Sequence, residues 1–569
     1  MKIRLVFLVG LFLSFNSLVS GQQRPNFVEF INSQHDWVDS VYNKLNKKKR
    51  IAQLFMVRAH TNLGQNYIDS VAKVIKKEGL GGVVLFQGGP VRHANLINEY
   101  QAVSEVPLLF ALDGEWGLGM RLPDSTVSYP YQMALGAIQD NDLIYRMGRE
   151  IAKDFKRLGL TVNFAPVVDV NNNPRNPVIN YRSFGEDKRN VTRKGGAYMK
   201  GMMDEGIIVS LKHFPGHGDT DVDSHHDLPV LSFSRERLDS LEMYPFRELI
   251  KEGASGVMVA HMNIPSLDNT PNLPSSLSEK VISEILKGEL GFKGLTFTDA
   301  MDMRGVVKYF KNGEADVRAI IAGNDILELS QDSKRAIKAV RKAVRQKRID
   351  KDDLERRVKK VLASKYWLGL DNIKPVNLQN LYSDLNRRAS LQLSQTLADH
   401  AITVLKGKRK LSELSFTRKT AIISIGTNEL SPFQRILNDR LDNELPFLLS
   451  ENATADEVSR VSSALRNYDQ VIVALHDSRT RPGSTLRYNS TVKLFISQLA
   501  STSAHFVLFA NPYTLASLPG IEAANSLMIG YQNDETLQRA AAKVILREIE
   551  ATGKLPVTVN TFFKYGDGQ

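Results

Sequence analysis

Between residues 50 and 330 the chain repeats one alternation, a short apolar β-rich run and then a stretch of helical period, and this constrains its fold more than any other feature. The runs occupy residues 51–58, 81–88, 107–113, 162–169, 208–214, 256–262, 294–299 and 324–329. Several are apolar on both faces, the pattern of parallel strands covered on each side by helices. Residues 142–160 set Leu143, Ile144, Met147, Ile151, Phe155 and Leu158 on one helical stripe; residues 278–290 read the same way, with Ser278 as N-cap. Strands joined by crossover helices over about 280 residues fit the arithmetic of a (β/α)8 barrel. Pattern alone leaves an open doubly wound sheet as the alternative.

Residues 333–370 are helical and rich in Lys and Arg, which reads as a solvated face closing the barrel rather than a nucleic-acid patch. A polar stretch with the character of a linker follows, and further strand candidates fall at 421–425, 470–475, 505–509 and 526–530. The expected fold class is therefore α/β. A TIM-like barrel over 22–371 is followed by a linker over 372–394 and a smaller C-terminal α/β sandwich domain over 395–569.

Hydrophobic residues at 42% and charged residues at 24% exclude a mainly disordered chain, a collagen-like repeat and a polytopic membrane protein. The net charge of +12 is modest for 569 residues and gives no argument for nucleic acid as a partner. The absence of cysteine excludes disulfides, thiolate metal ligands, a cysteine nucleophile and a lipid-modified cysteine anchor. Lys2 and Arg4 precede an apolar run over 5–15, with small residues near Ser20 and Gly21. This is the layout of a secretory signal over residues 1–21, and it is shorter than the roughly 20 apolar residues of a membrane span. The expected location is periplasmic or extracellular, without stable membrane insertion of the mature chain.

Barrel enzymes carry their chemistry at the C-terminal ends of the strands. Here almost every apolar run delivers ionisable residues at that point. The third run ends in Asp113-Gly114-Glu115, with Arg121 soon after; the fourth ends at Asp169, ahead of Arg182. The fifth gives Lys212 and His213 and leads into a loop with His217, Asp219, Asp223, His225 and Asp227, while the sixth and seventh end at His261 and Asp299. Asp299, emerging from an apolar strand, is placed to attack an anomeric carbon or to stabilise a cationic transition state, the alternative being a structural ion pair. Asp223 and His225, two apart on a Gly-flanked loop, form either a proton-transfer dyad, a loop-stabilising hydrogen bond or part of a metal site. The lack of an HExxH helix and of cysteine, and the Gly and Pro in the loop, argue against zinc, and no cofactor is implied.

The stretch KHFPGHGDTDVDSHHDLP at 212–229 resembles the signature of glycoside hydrolase family 3, in its NagZ-type β-N-acetylglucosaminidase branch. LDGEWG at 112–117, NFAPVVDV at 163–170, YRSFGED at 181–187, VMVAHM at 257–262 and FTDAMDM at 297–303 follow the same resemblance, in the family's order. It implies Asp299 as nucleophile, His225 as acid/base with Asp223 as its partner, and Asp113, Arg121, Arg182, Lys212 and His213 as residues holding a terminal N-acetylglucosamine. The implied reaction is exo-acting hydrolysis with retention, on peptidoglycan fragments or related glycans. A histidine acid/base also repels an incoming anion less than a carboxylate does, which opens phosphorolysis. Two details depart from the pattern: Trp116 stands where glycine is common, and Ala300 follows Asp299 in place of a frequent second Asp. The alternatives are a β-glucosidase or β-xylosidase of the same family, and a catalytically silent cell-wall sugar-binding protein.

Overall fold

The computed structural model describes residues 25–569 except 124, 223–226, 312, 442–445, 480 and 482. The leader read at residues 1–21 lies outside these described residues. In the first part of the chain the strands are β1 (Phe55–Ala59), β2 (Gly82–Leu85), β3 (Leu109–Leu112), β4 (Val162–Asn163), β5 (Ile208–Val209), β6 (Leu211–Phe214), β7 (Gly256–Val259), β8 (Leu295–Thr298) and β9 (Leu327–Glu328). All their ladders are parallel. Pairing runs β1-β2-β3-β4-β5 and β6-β7-β8, with β9 paired back to β1. β5 and β6 are one path interrupted at Ser210, and a bridge from Phe297 to Ile326 joins β8 to the β9 segment, so the ring closes as a barrel. Every residue of β2, β3, β6, β7 and β8 is buried, as strands enclosed by helices must be.

The helix Asn141–Leu158 buries all six residues of the expected stripe. Asp140 caps it by accepting from the Asp142 N–H, and Gly159, in left-handed backbone, ends it. Ser278 does serve the start of its helix, accepting from the Val281 N–H at 3.3 Å. The helix, Lys280–Glu289, is wound in π fashion, with the Leu290 N–H reaching the Ile285 carbonyl. The run read at 51–58 starts too early. Asn46 caps a helix over Lys47–Ala52, which uses Ile51 and Ala52 as its buried face, so β1 begins only at Phe55.

The basic stretch forms the helices Ser333–Arg345, which buries an apolar side and leaves its cations in water, and Lys351–Trp367, where Lys351 and Arg356 are exposed but Arg357, Lys360 and Lys365 are drawn against the barrel. The second part of the chain builds a mixed sheet from β10 (Thr403–Lys406), β11 (Thr420–Ile425), β12 (Phe447–Leu449), β13 (Gln470–His476), β14 (His505–Phe509) and β15 (Ser526–Ile529). The order is β10-β15-β14-β13-β11-β12, with β10 antiparallel to β15 and all other pairs parallel. This sheet sits against the barrel mouth. Gln532 accepts from the Tyr131 N–H at 2.7 Å, Asn171 donates to the Tyr513 hydroxyl at 3.1 Å, and Asn511 bonds Asn180. No helix among the described residues is long and apolar enough to cross a membrane.

Candidate active site

The barrel gathers charge at one end. Asp113 follows β3 directly, and Lys212 lies within β6 with its side chain 2% exposed. Lys212 Nζ donates to Asp113 Oδ1 at 2.8 Å and reaches Glu115 Oε1 at 2.9 Å. Arg121, ending the short helix Leu118–Met120, donates to Asp113 Oδ2 at 2.5 Å. Arg182, ending the turn Asn180–Arg182, forks onto Glu115 with contacts of 3.0 and 2.6 Å. Such a bidentate pair fixes the guanidinium plane as well as its charge. The network thus joins four of the expected sugar-binding residues through Glu115, a side chain fully shielded from solvent.

Its electrostatics are set by mutual compensation. Burial alone would raise the carboxyl of Asp113, but Lys212 and Arg121 outweigh it and hold the group well below the usual carboxylate range. Glu115 behaves alike, with burial overcome by Arg182 and Lys212, and is held down to about 2. Lys212 is desolvated as well, yet Asp113 and Glu115 raise it above its ordinary value. A rim of fixed donors and acceptors in fixed protonation states suits a polyhydroxylated ring, whose hydroxyls both donate and accept.

His213 is held by Asp169, which was only one strand-end carboxylate among several in the sequence. Asp169 Oδ2 accepts from His213 Nδ1 at 2.7 Å, and Oδ1 accepts from the backbone N–H groups of His213 and His217 at 3.1 and 2.7 Å. Since a carboxylate accepts, His213 carries a proton on Nδ1, and its Nε2 is left for the site. His217 is fully buried against Thr220 at 2.7 Å, and burial with the nearby His213 lowers its pKa to about 4. Asp299 follows β8; its N–H donates to the Val259 carbonyl and its Oδ1 accepts from the Ala300 N–H at 2.8 Å. His261 steadies that turn from β7, with Nε2 3.0 Å from the Ala300 carbonyl and Nδ1 2.6 Å from the Ser276 hydroxyl.

Asp223 and His225 lie outside the described residues. Of the other loop residues, Asp219 pairs with Arg237 at 3.2 Å and Asp227 with Lys308 at 3.1 Å. Among the described residues no three His, Cys, Asp or Glu side chains gather as a metal site would. Trp116 stacks edge-on to Tyr131, with ring centres 4.7 Å apart, and Tyr131 approaches Tyr181 at 4.9 Å, an aromatic cluster flanking the Glu115–Arg182 pair. Sequence reasoning passed over Glu328, the last residue of β9, a buried carboxyl in the run read at 324–329.

Residues 47–364 match the glycosyl hydrolase family 3 N terminal domain, more than half of the chain. The chain belongs to glycosyl hydrolase family 3. Within that family it is 28% identical over 548 residues to beta-hexosaminidase A of Pseudoalteromonas piscicida, covering 86% of this chain and 91% of that one. It is 33% identical over 262 residues to a beta-hexosaminidase of Nitrosomonas eutropha, covering 44% of this chain and 74% of the relative. The solved structure of a family 3 beta-N-acetylglucosaminidase from Paenibacillus sp. str. FPU-7 superposes with a TM-score of 0.76 at 30% identity, over 91% of this chain and 99% of that one. The expected architecture, a TIM-like barrel with a second α/β unit, is thus the architecture of a family 3 enzyme.

Proposed function

We propose that this chain is an exported, exo-acting β-N-acetylglucosaminidase that releases terminal β-linked N-acetylglucosamine from peptidoglycan fragments or related glycans with retention of configuration. The observation that carries this reading is the placement of Asp299 at the end of β8, in the barrel mouth that also holds the Asp113–Arg121–Lys212–Glu115–Arg182 network. The beta-hexosaminidase and beta-N-acetylglucosaminidase names of its relatives support the choice of sugar.

In this reading the ionic rim and His213 hold the hydroxyls and acetamide of the terminal sugar. Asp299 attacks the anomeric carbon as the glycosidic bond breaks, and His225, with Asp223 as partner, protonates the leaving oxygen. His225 then takes a proton from water, which attacks the glycosyl-enzyme and frees Asp299. Backbone bonds on both sides of Asp299 fix the carboxylate before the substrate arrives.

The test is hydrolysis of 4-nitrophenyl β-N-acetylglucosaminide against the β-glucoside, by wild type, His225→Ala and Asp299→Ala. Strong N-acetyl preference is expected, with Asp299→Ala inactive. His225→Ala should lose far less on the activated nitrophenol than on a natural disaccharide, because nitrophenolate leaves without a proton. A preference for the glucoside moves the chain to the β-glucosidase reading. A wild type inert on both sugars overturns the assignment in favour of a sugar-binding protein.

A further inference from the structure

Glu328 is a buried carboxyl whose Oε1 lacks the hydrogen bonds that a structural carboxylate makes. Its side chain is buried at the end of β9, with the residue 3% exposed, and no donor among the described residues lies within hydrogen-bonding distance of Oε1. Three residues earlier in the chain, Asp325 shows what a structural buried carboxylate looks like in this barrel. It accepts from the Thr296 N–H and hydroxyl at 2.9 Å each, and from Lys360 at 3.1 Å and Lys287 at 3.4 Å. An uncompensated buried polar atom costs about 1–3 kcal/mol, so an atom left this way calls for an explanation.

The backbone holds Glu328 beside the nucleophile. Its N–H donates to the Thr298 hydroxyl at 3.0 Å, one residue before Asp299, and its carbonyl accepts from the Met301 N–H at 2.9 Å, two residues after. The next residue, Leu329, sits in left-handed backbone at φ 53°, a conformation unfavourable for leucine, and its N–H is tied to the Met56 carbonyl at 3.0 Å. Among the described residues, the charges that act most on the Glu328 carboxyl are those of Asp113, Asp299 and Lys212. Lys212 makes its ion pairs with Asp113 and Glu115, and none with Glu328.

We propose that Glu328 is a further sugar-contacting residue of the barrel mouth, its carboxyl hydrogen-bonding a hydroxyl of the ring held between Asp113 and Asp299, and that it helps determine which sugar is accepted. This rests on the glycosidase reading of the same site. Burial first, and then Asp113 and Asp299, raise the Glu328 carboxyl well above its ordinary value against the pull of Lys212, which favours the protonated form, a donor where its neighbours are acceptors. A sugar hydroxyl can accept from Glu328 while donating to Asp113, linking the two carboxyls through one hydroxyl.

The experiment measures kcat and KM for 4-nitrophenyl β-N-acetylglucosaminide and its 3-, 4- and 6-deoxy analogues with wild type, Glu328→Met and Glu328→Gln. Glu328→Met matches the side chain in length and removes the hydrogen bond. It should lower kcat/KM on the parent by about tenfold or more, and this loss should vanish on the one analogue lacking the contacted hydroxyl. Glu328→Gln, which keeps a donor, should recover part of the loss. A Glu328→Met penalty equal on all four substrates means a purely structural role and overturns the proposal. Glu328→Asp, which retracts the acid by one methylene, gives the same comparison if the methionine variant does not fold. An active wild type with a uniform penalty removes the Glu328 assignment alone. A wild type that neither hydrolyses these substrates nor binds N-acetylglucosamine by calorimetry removes the glycosidase reading and this proposal together.

Discussion

A single ammonium group organises the candidate site. Lys212 Nζ lies within 3 Å of two carboxylates, and its side chain is 2% exposed. Removing one partner of such a buried cluster leaves charges without compensation, typically at a cost of about 3–5 kcal/mol. Lys212→Met should therefore lower the thermal midpoint sharply at neutral pH and abolish activity. The pH dependence follows from the direction of the shifts. In the wild type, Asp113 and Glu115 are held below their unfolded values, so their contribution to stability is present above about pH 4.5 and is lost as pH falls toward the Glu115 value of about 2. In the variant, burial acts without Lys212, the carboxyls rise, and protonation relieves the strain. Thermal scans from pH 2.5 to 8 should show the gap between the two proteins closing on acidification, whereas a constant gap would mean that Lys212 acts only by filling space. Asp169 makes a second residue-level case, since one carboxylate accepts from the His213 ring and from two backbone N–H groups. Asp169→Asn replaces one acceptor oxygen with a donor. It should reduce kcat/KM by about tenfold to a hundredfold with little change in thermal midpoint, a split that activity assays and melting curves report together.

At the scale of elements, the barrel was legible because its strands are apolar on both faces and end in ionisable groups. Seven of those groups, Asp113, Glu115, Asp169, Lys212, His213, His261 and Asp299, can be read off as strand endings. What could not be read was which of them bond each other, since the Lys212–Glu115 contact joins a residue of β6 to one in the loop after β3 and depends on the closure of the ring. Glu328 was hidden because β9 is only two residues long, so the run read at 324–329 gives no signal that Glu328, and not Leu329, is where the strand ends. β10 and β12 were missed because each is a short edge strand, recognisable by its pairing partner and not by its own pattern. The helix Lys351–Trp367 shows how far a charged stretch can mislead. The Lys and Arg there read as a solvated face, yet Lys365 is fully buried, with its Nζ 2.6 Å from Gln53 Oε1. Burial lowers it to about 7. A base held below its unfolded value destabilises the fold while it remains charged, and the penalty fades as pH rises from about 7 toward 10.5. Lys365→Met should raise the thermal midpoint by about 2 °C or more near pH 6, with the gain shrinking by pH 10. A gain that does not depend on pH would show that the ammonium is not the source of the penalty.

Across the whole molecule, the second unit reaches back to shape the ionic rim at the barrel mouth. Leu555 and Val557 are fully buried, and the segment between them lies on the loop that carries Arg182. The Pro556 carbonyl accepts from the Glu186 N–H at 3.1 Å, Thr558 donates to Glu186 through its N–H at 2.7 Å and its hydroxyl at 2.6 Å, and the Lys554 N–H donates to the Ala137 carbonyl at 3.0 Å. Gly185 lies at this crossing with φ 126°, and a Cβ there would overlap the Pro556 carbonyl oxygen. The turn from Arg182 to Gly185 is therefore set by chain near the C-terminal end of the sequence as much as by the barrel. Arg182 is the partner that orients Glu115, so displacing this turn should loosen the ionic rim without touching Asp299. Gly185→Ala is expected to raise KM for the N-acetylglucosaminide by about tenfold while changing kcat less, since the loss falls on binding that substrate and transition state share. Gly253→Ala is the matched control. It also sits at positive φ, 87°, but a Cβ there meets nothing within 4 Å, so it carries the backbone strain without the contact. If both variants lower the thermal midpoint but only Gly185→Ala raises KM, the seam between the two units is part of the binding machinery. Equal kinetics in the two variants would reduce the C-terminal segment to a support for stability alone.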